Sequence, residues 1–127
     1  MTGAPPHHAQ ILDTDSTDGR AAVDALCADP GVTVVDRLAA QRAGLGRLIP
    51  APGRDLLDEP SRWVYYPWRR TVVHVLGPRA FRRLRLDRNR NMITADEQER
   101  LGGQRIGVVG LSVGHVVAHT LAAEGLA

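Results

Sequence analysis

Apolar residues recur at Ala22, Val23, Leu26 and Cys27, a helical spacing that predicts a helix over Gly19–Asp29 with Asp18 as its cap. Pro30-Gly31 ends it, and Val32-Thr33-Val34-Val35 reads as a short strand. Asp36 to Leu48 predicts a second helix with Leu38, Leu45 and Leu48 on one stripe, weakened by Gly44 and Gly46. Pro50, Pro52, Gly53 and Pro60 mark a loop and a subdomain boundary. Arg62–Tyr66 and Thr71–Leu76 then predict two strands interrupted at Pro67. A short helix follows over Pro78–Leu86, with Pro78 near its start. Thr94-Ala95-Asp96-Glu97 is a capping box for a helix through Leu101, closed by Gly102-Gly103. Arg105-Ile106-Gly107-Val108-Val109 has the pattern of a strand buried on both faces of a parallel sheet. Gly110-Leu111-Ser112-Val113-Gly114 comes next, then a helix over His115–Glu124 with Gly125 as its stop. Gly114, Ala118 and Ala122 give that helix a small-residue face suited to close packing on a sheet.

Composition narrows the class. The chain has 127 residues, 43% hydrophobic, enough for one ordinary domain and too apolar for a wholly disordered chain. No apolar run approaches the roughly 18 to 20 residues of a membrane span, and Met1–Asp18 has no signal-peptide pattern. Residues 1–18, with Pro5-Pro6, His7-His8 and a polar run, are expected to be a frayed tail; the mobile histidine pair lacks metal-ligand spacing. The single cysteine, Cys27, fits a reducing cytoplasm as a small buried hydrophobe. All 16 basic residues are arginine, which removes Walker-type phosphate loops and Schiff-base chemistry from this chain.

Charge is divided unevenly. Residues 1–60 carry five arginines and nine acids, whereas residues 61–127 carry eleven arginines and five acids. Six of those arginines lie between Arg79 and Arg90, as a solvated basic face or a phosphate-binding surface. No recognisable nucleic-acid module accompanies them, so nucleic acid is not favoured. Trp63, Tyr65, Tyr66 and Trp68 read as a satellite core or a stacking platform, and His74 as a half-buried strand residue.

The chemistry lies near residue 110. Strand, glycine turn and close-packed helix open a nucleotide-binding βαβ unit, where backbone N–H groups and a helix N-terminus face a phosphate. The same residues spell G-x-S-x-G, the nucleophile elbow of α/β-hydrolases, with Ser112 as nucleophile. Bulky His115, the missing oxyanion segment and the arginine-rich lead-in count against that elbow. A purely structural tight turn is the third reading.

Residues 85–127 resemble the start of the ThiF/MoeB-type adenylyltransferase domain, the ubiquitin-activating-enzyme-like fold. Arg85-Leu86-Asp87-Arg88-Asn89 can sit on that family's R-Y-x-R-Q-like segment, Thr94–Leu101 on its short helix and Arg105–Gly110 on its first strand. Glu124-Gly125-Leu126 resembles the A-G-V ending of its first helix. Leu86–Asn91 together with Val109–His115 looks closest to an actinobacterial ThiF-like subgroup of long proteins joined to a nitroreductase-like region, and Trp63–Arg70 resembles that subgroup's N-terminal extension. Ser112-Val113 stand where the family usually has a glycine pair, and the segment between the arginines and the turn is about two residues shorter.

The resemblance implies attack of a protein or small-molecule carboxylate on the α-phosphate of ATP, with magnesium, giving an acyl-adenylate and pyrophosphate. It implies Gly110, Leu111, Ser112, Val113 and Gly114, with Asn91, as the nucleotide-binding residues. Arg88 or Arg90 would neutralise phosphate charge, a role often played across a dimer interface in this family, so a homodimer is a candidate assembly. The expected fold is α/β in three parts: a flexible tail (1–18), an α/β extension (19–84) and, as the resemblance implies, the start of a Rossmann-like doubly wound sheet (85–127). The ribose-binding acid of such folds lies roughly 20 residues beyond the glycines, and the magnesium-side aspartate and the lysine later still, so the fragment alone is expected to be inactive. Competing expectations are an NAD- or FAD-binding oxidoreductase fragment, the Ser112 hydrolase and a non-catalytic nucleotide-binding module.

Overall fold

A computed structural model describes residues 7–110 and 112–126 of the chain. Its first element corrects the expected tail: Gln10–Leu12 forms strand β1. Three residues give no usable periodicity, but a sheet edge with unpaired N–H and C=O groups recruits such a segment. Ser16 then caps helix α1 (Thr17–Ala28), its Oγ accepting from the Gly19 N–H at 3.0 Å. The cap is therefore Ser16, and Asp18 lies in the first turn, where its charge suits the positive end of the helix. Val23 is the buried residue of α1, while Cys27 is exposed. Leu26 and Cys27 are about 100° apart around a helix, and the stripe that meets the protein is too narrow to hold both.

Strand β2 (Thr33–Asp36), strand β3 (Arg62–Tyr66) and strand β4 (Thr71–Val75) complete a mixed four-stranded sheet in the order β1-β3-β4-β2. Strand β3 runs antiparallel to both β1 and β4, and β2 is parallel to β4. The register sets Leu12, Trp63, His74 and Asp36 in one row across all four strands. Between β3 and β4 a 3-10 turn (Pro67–Arg69) ends on Arg70, whose φ of 45° lies in the left-handed region. Its guanidinium donates to Asp29 Oδ2 at 3.0 Å.

Helix α2 (Leu38–Leu45) is shorter than its apolar stripe predicts. Asp36 ends β2, and its Oδ1 accepts from the Leu38 N–H at 2.9 Å. At the other end Gly46 caps the helix, yet Leu48 still reaches the core. That core is Leu38, Leu45, Leu76 and Ala80, with Leu48, Phe81 and Leu84 packed on it. The proline-rich loop contains the short α3 (Arg54–Leu57). Glu59 follows, and its carboxylate accepts from the Arg79 and Ala80 N–H groups at 3.4 and 2.8 Å, capping helix α4 (Pro78–Leu86). Gly77 allows this approach: a Cβ there would stand 2.6 Å from the Glu59 carboxyl.

The chain divides into two compact units, residues 1–84 and 85–127, and the sheet belongs to the first. The second contains a 3-10 turn (Asp87–Asn89), helix α5 (Ala95–Gly102) and helix α6 (Gly114–Ala123). The fold is mixed α/β with one open sheet.

The expected strand over Arg105–Val109 does not form, and among the described residues the second unit has no strand. Ile106 is 51% and Val109 fully exposed. An extended segment becomes a strand only when a neighbour accepts and donates along it, and this unit offers no such neighbour. For the same reason Ala118 and Ala122, expected to face a sheet, are exposed.

The capping box of α5 is complete. Thr94 Oγ1 accepts from the Glu97 N–H at 3.2 Å, and Glu97 Oε2 accepts from the Thr94 N–H at 2.7 Å. The Thr94 backbone bond, then its hydroxyl, hold the Glu97 carboxyl below its ordinary value of 4.5. A depressed carboxyl stabilises the helix above its unfolded pKa, and that contribution is lost as pH falls through the folded value. Helicity of residues 95–102 is thus expected to drop on acidification below 4.5 and to lose that step in Glu97→Gln, read by circular dichroism and amide chemical shifts.

Candidate functional site

The glycine turn lies between α5 and α6. Gly110 has φ +91°, a conformation in which a side chain at Cβ is strained. Gly114 opens α6, and a Cβ there would stand 2.8 Å from Val108 Cγ1. Two glycines thus let the chain reverse and bring the residues before the turn against the helix start. No side chain caps that start, since Val113 occupies the cap position. Ser112 is exposed, and His115 Nδ1 lies 3.4 Å from the Ser112 carbonyl oxygen. Among the described residues no imidazole pairs with the Ser112 hydroxyl, so the structure brings no base to that serine. Leu111, the remaining position of the turn, lies outside the described residues.

The arginine segment has a different environment. Arg88 Nη2 donates to Glu124 Oε1 at 2.8 Å and to the Ala123 carbonyl at 2.9 Å. Asn89 Nδ2 donates to Glu124 Oε2 at 2.8 Å and to Gln98 Oε1 at 2.9 Å, and Gln98 Nε2 donates to the Glu124 carbonyl at 2.9 Å. The 3-10 turn, α5 and the end of α6 are thereby tied into one knot around Glu124. Its placement follows from the helix stop. Gly125 has φ +92°, the Leu126 N–H donates to the Leu121 carbonyl at 3.1 Å and the Gly125 N–H to the Ala122 carbonyl at 3.2 Å, a Schellman ending. Arg88 thus sits where cationic charge favours the negative end of α6. Arg90 pairs with Asp87 at 3.5 Å, and Asn91 is exposed.

Of the residues proposed from sequence, the structure gathers the described ones into two places. Gly110, Ser112, Val113 and Gly114 form the turn, and Arg88 holds the far end of the helix that the turn begins. Sequence reading missed Asn89, Gln98 and Glu124. The Glu124-Gly125 helix stop was the available signal, since a helix end needs donors for its last carbonyls. Gln98 is only 9% exposed, so removing a partner leaves a buried amide unsatisfied. Asn89→Ala is expected to destabilise this unit by about 1–3 kcal/mol, seen as a lower midpoint of helix loss by circular dichroism.

The chain is similar to the uncharacterized protein MT1398 of Mycobacterium tuberculosis (strain CDC 1551 / Oshkosh), 56% identical over 115 residues. The aligned stretch covers 91% of this chain and 16% of that protein. The chain therefore spans about one sixth of the length of the curated relative it matches. No protein-family model matches the chain, and no solved structure matches it.

Chemically, the turn offers backbone N–H groups and the partial positive charge of an uncapped helix start, which suit a phosphate. Among the described residues no group of three or more His, Cys, Asp or Glu side chains is arranged to hold a metal ion. No described helix is long and apolar enough to cross a membrane.

Proposed function

We propose that residues 85–127 open the nucleotide-binding domain of a ThiF/MoeB-like, ATP-dependent adenylyltransferase, and that residues 1–84 form its N-terminal extension. The observation that carries this reading is the positive-φ Gly110 leading into the side-chain-free start of α6 at Gly114. Gly110, Ser112, Val113 and Gly114, with Leu111, would hold a phosphate of ATP through the backbone, with Asn91 nearby in sequence. Two further facts agree with it. Ile106, Val109, Val116 and Val117 are exposed apolar residues that the rest of a doubly wound sheet would bury. The similar mycobacterial protein is far longer than this chain, so adenylation would belong to a longer protein and the fragment alone would be inactive.

In the reaction a carboxylate oxygen attacks the α-phosphorus, the bond to the bridging oxygen breaks, and pyrophosphate leaves. Negative charge grows on the phosphate oxygens, and a fixed guanidinium meets it. Arg88 or Arg90 would take that role in this proposal, the first on release from Glu124 and the Ala123 carbonyl, the second on release from Asp87. Magnesium ligands would come from outside these residues. The acceptor is a carboxylate-bearing protein or small molecule, the compartment the cytoplasm and the assembly a homodimer.

Pyrophosphate exchange by the complete gene product tests this. Exchange of labelled pyrophosphate into ATP, dependent on magnesium and on a carboxylate acceptor, is the expected result. No exchange with any acceptor, together with co-purifying NAD or FAD, would replace it with the dinucleotide reading.

A further inference from the structure

The serine singled out by the G-x-S-x-G pattern has no imidazole beside it, but another serine does. Ser61, just before β3, has its Oγ 2.9 Å from His74 Nε2. The other ring nitrogen, Nδ1, faces Asp36 Oδ2 at 3.6 Å. Three residues distant in sequence meet because of the sheet register. Asp36 on β2 is the cross-strand partner of His74 on β4, and His74 in turn of Trp63 on β3. Side chains paired across adjacent strands lie on one face.

The imidazole is held firmly. Its ring stacks on the Trp63 indole, with centroids 4.3 Å apart and planes within 2°. Its side chain is 18% exposed, against 64% for Asp36. Asp36 is fixed as well, because its other oxygen accepts from the Leu38 N–H at 2.9 Å. With the carboxylate on the Nδ1 side, the favoured neutral tautomer carries its proton on Nδ1 and leaves Nε2 free to accept from the seryl hydroxyl. Arg62 Nη1 donates to the Ser61 and Pro60 carbonyls at 3.0 and 3.3 Å, so positive charge flanks the same loop.

We propose that Ser61 is a nucleophilic serine, with His74 as its general base and Asp36 as the residue that positions the imidazole, and that it accepts acyl groups from activated carboxylic esters. Ser61 Oγ forms a bond to the acyl carbon as its proton passes to His74 Nε2. The bond from that carbon to the leaving oxygen then breaks, and the same proton departs with the alcohol. Water, deprotonated by His74, hydrolyses the acyl-serine and restores the hydroxyl. Esters fit better than amides, because an oxygen leaving group departs with less assistance. The positive charge of Arg62 opposes the negative charge that grows on the acyl oxygen. This inference is independent of the nucleotide proposal, as it uses only residues of the first unit.

The test treats the purified chain with a fluorophosphonate and with p-nitrophenyl acetate, and maps the modified residue by mass spectrometry. Modification of Ser61, reduced about tenfold or more in His74→Gln, is the expected result. Modification confined to Ser112, or no modification of Ser61, would overturn the proposal. Because His74 also stacks on Trp63, Asp36→Asn is the second variant. Its amide oxygen still accepts from Leu38, so tryptophan emission and the unfolding midpoint should stay unchanged. Its labelling rate should fall severalfold and recover in part in Asp36→Glu. Equal labelling of Ser61 in wild type, His74→Gln and Asp36→Asn would show a hydroxyl that no base activates, and the proposal fails.

Discussion

Gly110→Val in the complete gene product is expected to abolish most pyrophosphate exchange, with a loss on the order of a hundredfold. At φ +91° a β-branched side chain is strained, and relief comes from rotating the peptide units whose N–H groups would face the phosphate in the proposed site. The local cost is about 1–3 kcal/mol, small enough to leave the unit folded and large enough to displace the turn. Gly110→Ala should give a smaller loss in the same direction. Helical circular dichroism of the variant separates a misplaced turn from an unfolded unit. Near-normal exchange in a folded Gly110→Val protein would remove the turn from the nucleotide site and with it the basis of the adenylation proposal.

Leu45→Ala is expected to cost the first unit about 2–5 kcal/mol. Leu45 is 1% exposed, at the centre of the cluster of Leu38, Leu76 and Ala80. Leu38 stands at the start of α2 and Leu76 donates its N–H to Gln41 Oε1 at 2.9 Å, so the backbone around the site is held and a cavity there closes only in part. A unit of this size is typically stable by roughly 4–13 kcal/mol, so the substitution removes a large share of the margin. Both tryptophans, Trp63 and Trp68, lie in this unit, and their emission in urea reports on it alone. The midpoint should fall by on the order of 1–2 M. Helix loss in residues 85–127 should be untouched, and a shift there would mean that the two units do not unfold independently.

How far the sequence carries is clearest in particular elements. Helix α4 over Pro78–Leu86 and the complete capping box at Thr94–Glu97 were readable from residue types, because proline at a helix start and a reciprocal Thr–Glu cap act within one turn of chain. Strands β3 and β4 were readable from alternation and the break at Pro67, although β4 ends one residue earlier than its pattern. The Ser16 cap was missed in favour of Asp18, two acceptable cap types two residues apart, and the sequence offers nothing local to rank them. Cys27 was placed inside by helical spacing and lies outside, because spacing gives the direction of a stripe and not its width.

The candidate sites divide along the same line. The glycine turn was legible because its requirement is local: a positive φ and a missing Cβ are properties of Gly110 and Gly114 themselves. Arg88 was singled out by sequence as a phosphate ligand, yet its partners are Glu124 and the Ala123 carbonyl, 36 and 35 residues away. The run Arg105–Val109 carried a strand pattern, but pattern supplies only the side chains of a strand. Its hydrogen bonds must come from a neighbour, and none lies in this unit among the described residues.

By itself, then, the sequence determined helices α1, α2 and α4 to α6 to within a few residues, the Thr94–Glu97 cap, the two strands beside Pro67 and the turn at Gly110. Each is fixed by dihedral preference, capping or alternation over a few residues. Only the tertiary structure decided that Gln10–Leu12 joins a sheet, that Glu124 gathers Arg88, Asn89 and Gln98, and that Asp36, His74 and Ser61 converge. Those contacts are made by strand register and helix packing between segments 13 to 55 residues apart. No local preference encodes such pairings, because their free energy exists only after the chain has folded.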